Sequence, residues 1–256
     1  MTTGFQQLWK SNTPLWGGWC SIPSSYTAEL IGRAGYDWVC IDYQHGAMSQ
    51  AGLDRMIQAL AITSTPTFVR VADVSVADIS KALDAGAVGV IVPMVNTPEE
   101  AAQSVAACRF APVGIRSWPG PSVRAAIRDS SYTPASANML VKCVIMIETV
   151  EACERVEEIL DIPGIDAVLI GPSDLSHSGG YFPSLSEQDE RHVARIERVL
   201  AAALDRGIVP GIFSGSPDMS KTWLHRGFRM MALADDAYML RTAAREIVEA
   251  ARALHV

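Results

Sequence analysis

Eight short apolar runs separated by stretches of helical period predict an α/β fold for this chain, a single-domain (β/α)8 TIM barrel. Three observations carry that expectation. The runs are rich in β-branched residues and do not alternate with polar ones, as suits parallel strands buried on both faces. Between them, apolar residues recur at three- and four-residue spacing, which gives each helix one stripe to lay against the strands. The length of 256 residues is that of one such barrel. An open doubly wound sheet is the second choice on the same pattern.

The first run, LWGGWCSI at 15–22, leads into a helix over 28–34. The second, WVCID at 38–42, leads into QAGLDRMIQALA, where Leu53, Met56, Ile57 and Leu60 share a face. TFVRV at 67–71 precedes a helix over 78–83 with Asp78 in its first turn. VGVIVP at 88–93 precedes one over 98–108, for which Thr97 is the cap, Pro98 the first position and Glu99 a first-turn acid. After CVIMIE at 143–148, helical spacing returns in Val150, Cys153, Val156, Ile159 and Leu160. AVLIGP (167–172), VPGIFS (209–214) and RMMALA (229–234) are followed by helices over 187–204, 218–224 and 243–254, the first opened by Ser186. The longest connection without a repeat, 110–138, leaves a helix and so starts at the bottom of the barrel. From there it can wrap a rim or reach a neighbouring subunit.

Composition narrows the function. Hydrophobic residues make up 49% and charged residues 19%, but no apolar run approaches the roughly 20 residues that span a bilayer. The N-terminal MTTGFQQLWKSNTP has neither a basic n-region nor an apolar h-region, so no signal peptide is expected. A net charge of −7 without a Lys/Arg cluster argues against nucleic acid as a partner. Five cysteines without CxxC spacing, most of them in apolar segments, suit a reduced cytoplasmic compartment.

The C-terminal strand ends of a barrel meet at one mouth, so strands that end in polar residues mark the site. Five do so: at Trp19, at Asp42 with His45 beyond it, at Arg70, at Glu148, and through GPSD at Asp174. Glu148 and Asp174 are one βα unit apart, which sets two carboxylates side by side. The usual remedies are a shared proton or a divalent cation, and oxygen ligands favour Mg²⁺ or Mn²⁺ over structural Zn²⁺. For either acid alone, a place in a helix first turn weighs equally. Arg70 interrupts an apolar strand and calls for an anion there, either a substrate or a structural carboxylate. A lone histidine such as His45 is more often structural than catalytic, and Asp84 is either its orienting partner or a solvated helix end. Trp19 and Trp118, taken singly, read as packing. The turn Gly171-Pro172-Ser173 opens onto a helix start whose N–H groups suit a carboxylate. The four lysines, Lys10, Lys81, Lys142 and Lys221, all miss the strand ends, and Lys142 belongs near the bottom. Schiff-base chemistry is thereby disfavoured.

Together the segments GWCSIPSSYTAELIGRAGYDWVCIDYQHG, RVADVSVADISKALDAGAVGVIVPMVNTPEEA, GIRSW, IMIET and LIGPSDLS resemble the metal-dependent pyruvate aldolases of the HpcH/HpaI aldolase/citrate lyase family, over nearly the whole chain. The resemblance implies a class II aldolase that reversibly cleaves a 4-hydroxy-2-oxo acid to pyruvate and an aldehyde. It implies a divalent metal ion (Mg²⁺, Mn²⁺ or Co²⁺), no organic cofactor, and a homo-hexamer built from two trimers with the last helix exchanged between subunits. Position by position, it makes Glu148 and Asp174 the metal ligands and Arg70 the group on the enolate oxygen. His45 and Asp84 become an acid/base dyad acting through a water. Trp19 and Phe213 would line the pocket, with Ser173 and Asp174 around the pyruvate carboxylate. Members of the best-known type read Asp-Gly-Glu-His at the second strand end, where this chain has Asp42, Tyr43, Gln44 and His45. Gln44 there counts as a substrate-binding residue with one negative charge fewer, and Tyr43 adds bulk. Arg116, Arg124 and GGYFPS also depart from that type, which bears on the aldehyde partner. The same site could serve an oxaloacetate-type decarboxylase, a carbon–carbon-forming synthase or a CoA-thioester lyase. A non-catalytic binding module is the reading from another class.

Overall fold

In a computed structural model, residues 3–120, 123, 132–180 and 189–254 are described, and eight parallel strands close a barrel in sequence order. They are β1 (Leu15–Cys20), β2 (Trp38–Asp42), β3 (Thr67–Arg70), β4 (Gly89–Val92), β5 (Lys142–Ile147), β6 (Ala167–Ile170), β7 (Val209–Phe213) and β8 (Met230–Asp235). The predicted barrel is therefore observed, and the doubly wound sheet is excluded by the pairing of β8 with β1.

Strand parity sorts the apolar residues into two layers. Val39, Ile41, Val69, Val90, Ile145, Val168 and Ile212 join the core between strands and helices. Their neighbours Trp38, Cys40, Phe68, Ile91, Val144, Met146 and Leu169 fill the barrel interior. One step further along the interior parity lie Asp42, Arg70, Glu148 and Gly171, so the inward positions turn polar at the mouth. The two-faced burial explains why the runs show no alternation in sequence.

Outside the strands lie α1 (Thr3–Lys10), α2 (Ser25–Gly32), α3 (Gln50–Thr63), α4 (Val76–Asp84), α5 (Pro98–Cys108), α6 (Pro134–Leu140), α7 (Val150–Glu154), α8 (Val156–Leu160), α9 (Pro172–Ser178), α10 (Glu190–Asp205), α11 (Pro217–Arg226) and α12 (Asp236–Arg252). Thr97 and Glu100 form a capping box on α5, with Pro98 at the first position as expected. Several boundaries differ from the sequence reading. The helix after β5 breaks at Arg155 into α7 and α8, and α6 starts within the connection expected over 110–138 and runs beyond it to Leu140. Asp189 caps α10, while the expected cap, Ser186, lies outside the described residues, as do Arg124 and part of GGYFPS. The last helix starts at Asp236, seven residues before the expected 243, because the Asp235 carboxylate accepts from Tyr238 N at 2.8 Å.

An element the periodicity missed closes the bottom of the barrel. Phe5 and Trp9 of α1 turn inward and meet Phe68, whose ring also packs edge-on against Trp38 with centroids 5.6 Å apart. Lys142 lies here too, 5.4 Å from the Trp9 ring and 2.9 Å from Asp166. Its place at the bottom agrees with the sequence reading. Trp118 packs edge-on against Phe110 and stacks on Tyr132, again as packing. All five cysteines are buried and free. Among the described residues, no helix is long and apolar enough to cross a membrane.

At the start of α10, His192 is buried and neither ring nitrogen has a hydrogen-bond partner among the described residues. Burial lowers its pKa below the ordinary value, outweighing the Asp189 charge. The folded state thus disfavours the imidazolium. The stability this site contributes is full above about pH 6.5, the unfolded value, and is lost as pH falls through the lower folded value. Thermal unfolding measured between pH 7.5 and 5 should show His192→Leu losing less stability on acidification than the wild type.

Candidate active site

The mouth is organised around Asp42, the last residue of β2. In the sheet its backbone partner is Arg70, the last residue of β3, so register alone sets the two side chains abreast on the interior face. Arg70 Nε donates to Asp42 Oδ1 at 3.0 Å and Nη2 to Oδ2 at 2.5 Å. Trp19 Nε1 donates to Oδ2 at 3.3 Å, and the backbone N–H groups of Gln44 and His45 donate to Oδ1 at 3.1 and 3.2 Å. Burial alone would raise the Asp42 pKa, but the Arg70 contacts, the His45 amide and the Trp19 indole more than offset it and hold the carboxylate below its ordinary range. Gly46 completes the turn: a Cβ there would press on the Asp42 and Ser21 carbonyl oxygens, at 2.6 and 3.0 Å. The polar end of WVCIDYQHG is thus a turn wound onto one carboxylate.

Asp42 also fixes the direction of Arg70. With Nε and Nη2 engaged and the guanidinium carbon 5.1 Å from the Trp19 ring centroid, the fork has one orientation, and Nη1 has no partner among the described residues. Trp19 in turn meets Phe213 edge-on, with centroids 5.5 Å apart. Arg70 is therefore held by a structural carboxylate, the second of the alternatives open in the sequence, and it also lines the pocket.

Glu148 follows β5 and is 1% exposed. Its Oε1 accepts from Met94 N at 2.8 Å, whereas Oε2 is buried with no hydrogen-bond partner among the described residues. A Cβ on Gly171 would overlap Oε2, so only glycine lets the end of β6 pass so close. Burial, partly offset by the Met94 N–H and reinforced by the Asp174 charge, pushes the Glu148 pKa up to about 7. Asp174 itself is exposed, in the first turn of α9 after Gly171 and Pro172.

One cavity of about 280 Å³ is lined by Trp19, Asp42, His45, Arg70, Ser173, Asp174 and Phe213, with Ser21, Met146, Gly171, Pro172 and Asp235. Four sequence-derived residues are not on that wall, among them Glu148, which lies next to the lining residue Gly171. Gln44 is not on the wall, and its Oε1 is buried without a partner among the described residues. Tyr43 packs outward against the core between strands and helices, so it adds no bulk to the cavity; its parity is opposite to that of Asp42. Asp84 ends α4, ahead of β4 and hence at the opposite end of the barrel, where Arg116 Nη2 donates to it at 2.6 Å. Within one chain, Asp84 and His45 are not brought together. Ser21 and Asp235 escaped the sequence reading because β1 and β8 end in apolar-looking runs. Their tie is Asp236, whose carboxylate accepts from Ser21 and Ile22.

The model of the HpcH/HpaI aldolase/citrate lyase family matches residues 16–253. The chain belongs to that family. It is 38% identical over 246 residues to a hydroxypyruvate/pyruvate aldolase of Rhizorhabdus wittichii, covering 96% of this chain and 97% of the relative. A 4-hydroxy-2-oxo-heptane-1,7-dioate aldolase of Escherichia coli is 33% identical over 249 residues, 96% of this chain and 94% of its own. The crystal structure of a family member from Burkholderia cenocepacia J2315 superposes with a TM-score of 0.91 at 31% identity, covering 98% of this chain and 100% of the other. The chain is accordingly an enzyme, a carbon–carbon lyase.

Removing one partner of a buried ion pair leaves an uncompensated charge, which costs roughly 3–5 kcal/mol. Asp42→Ala should therefore lose stability of about that size in urea unfolding, more than the replacement of any exposed acid such as Glu157.

Proposed function

We propose that this enzyme is a class II aldolase that reversibly cleaves a 4-hydroxy-2-oxo acid to pyruvate and an aldehyde. The observation that carries the reading is the buried, unpartnered Oε2 of Glu148, with the Asp174 carboxylate near enough to raise the Glu148 pKa. Such a carboxylate pair suits a hard divalent cation with oxygen ligands, Mg²⁺, Mn²⁺ or Co²⁺. Among the described residues, no group of three or more His, Cys, Asp or Glu side chains could hold a metal. The cation would rest on Glu148 and Asp174, with its remaining ligands from substrate and solvent. When bound, it supplies Lewis-acid stabilisation of the negative charge that grows on the 2-oxo oxygen.

The chain's own groups do the rest. The N–H groups of Ser173 and Asp174, unused in the first turn of α9, hold the substrate carboxylate. Arg70 presents Nη1 to the 2-oxo oxygen, and because Asp42 locks the fork, that donor is preorganised for the enolate. His45, exposed at the rim, takes the proton of the 4-hydroxyl through a water. As the C4–O bond becomes a carbonyl, the C3–C4 bond breaks, its electron pair forms the enolate, and protonation at C3 gives pyruvate. Trp19 and Phe213 wall the aldehyde side. Dialysis against EDTA should abolish the cleavage and Mg²⁺ or Mn²⁺ restore it, while borohydride with pyruvate should trap no lysine; a trapped adduct would sink the scheme.

The same geometry bears on assembly. One chain holds His45 and Asp84 at opposite ends of the barrel, so a His45–Asp84 dyad requires a neighbouring copy. A homo-hexamer of two trimers with α12 exchanged is supported by the exposure of that helix, on which Leu240 and Ile247 are 65% and 70% exposed. Tyr26 and Leu30 on α2 are likewise exposed. Co-expression of His45→Ala and Asp84→Ala chains, each inactive alone, should regain part of the activity. A mixture as inactive as its components would assign Asp84 a structural role only.

A further inference from the structure

The connection between β4 and α5 is built more tightly than a turn requires. Met94 has φ 54°, a left-handed backbone that a residue with a Cβ rarely adopts. This conformation carries the N–H that donates to Glu148 Oε1. Two residues on, Asn96 Nδ2 donates to the Met94 carbonyl at 2.8 Å, and Asn96 Oδ1 accepts from the Thr149 hydroxyl. Thr149 is the covalent neighbour of Glu148, so the contacts close a ring from Glu148 through Met94 and Asn96 back to Thr149. The ring is anchored on both sides. Glu100 Oε2 accepts from the N–H groups of Asn96 and Thr97 at 2.7 and 3.1 Å, and Thr149 accepts from Ala152 N as the cap of α7.

We propose that Asn96 is a positioning residue: it holds Met94 in its left-handed turn, so that Met94 N–H occupies Oε1 of Glu148 and leaves Oε2 alone for the cation. The proposal rests on the reading of Glu148 as a metal ligand, and its chemistry is that of an outer-shell contact that orients a ligating carboxylate. Both functional groups of the Asn96 amide are used, one as donor and one as acceptor. Aspartate would lose the donor and leucine both. Asn96 never reaches the cavity, so its effect passes through Met94 and Glu148.

Two measurements test it on the full-length protein. Calorimetric titration of the metal-free chain with Mn²⁺ should show Asn96→Ala and Thr149→Val binding roughly 10- to 100-fold more weakly than the wild type, with Thr149→Ser near the wild type. Adding Met94→Gly to Asn96→Ala should recover part of the affinity, because glycine takes positive φ without strain. Thermal unfolding should move little across the set. Wild-type affinity in Asn96→Ala overturns the proposal, and so does a loss that Met94→Gly leaves untouched. Hydrogen exchange at the Met94 amide needs no metal: it should be slow in the wild type and faster in Asn96→Ala, with the amides of α5 unchanged. If the wild type does not bind Mn²⁺, or Glu148→Gln binds as well, the metal reading fails. The exchange rates then still decide the clamp, an unchanged Met94 rate overturning it.

Discussion

The mouth of this barrel depends on the buried ion pair between Asp42 and Arg70. Its geometry follows from sheet register, since the two residues are opposite each other where β2 and β3 end. Neither charge would survive burial alone, and the pair is retained because each half has a second task. Asp42 gathers the turn that carries His45 and ties down the Trp19 indole. Arg70, oriented by the carboxylate, lines the cavity with Nη1 unpaired among the described residues.

Opposite that pair the requirement is reversed. Glu148 is buried with too few donors, and burial together with the Asp174 charge leaves its carboxyl with a raised pKa. Five donors thus serve Asp42, whereas Met94 N is the single donor to Glu148 among the described residues. Gly171 makes room for the unsatisfied oxygen, and the turn at Met94 occupies the other. The asymmetry between the two acids, and not the number of carboxylates, gives the cavity its chemical direction.

Family membership accounts for the architecture and for carbon–carbon lyase chemistry, while the aldehyde partner depends on the wall of the cavity. That wall has an aromatic edge at Trp19 and Phe213 and polar groups at Ser21 and Asp235. Gln44, the most conspicuous departure in sequence, lies off the wall and influences the site only through the turn it shares with Asp42. The bottom of the barrel has its own charged corner at Asp84 and Arg116, whose relevance to the mouth depends on assembly.

The strands, their closure and the inward set Trp19, Asp42, Arg70 and Glu148 were legible because strand ends and apolar period are local properties of the sequence. The helix α1 was not, since a plug of one short helix, with Phe5, Leu8 and Trp9 on the interior cluster, leaves too short a stripe to read. The separation of Asp84 from His45 within one chain was not legible for a topological reason: a residue before a strand and one after it are separated by the whole height of the barrel, a distance that spacing along the chain does not report. Likewise, the sequence marked Asp42 and Glu148 as polar strand ends without showing how many donors each would meet. Only the tertiary structure decided that one is saturated with donors and the other left with a bare oxygen, because hydrogen bonds across β1, β2, β3 and the β4–α5 turn join residues far apart in the chain.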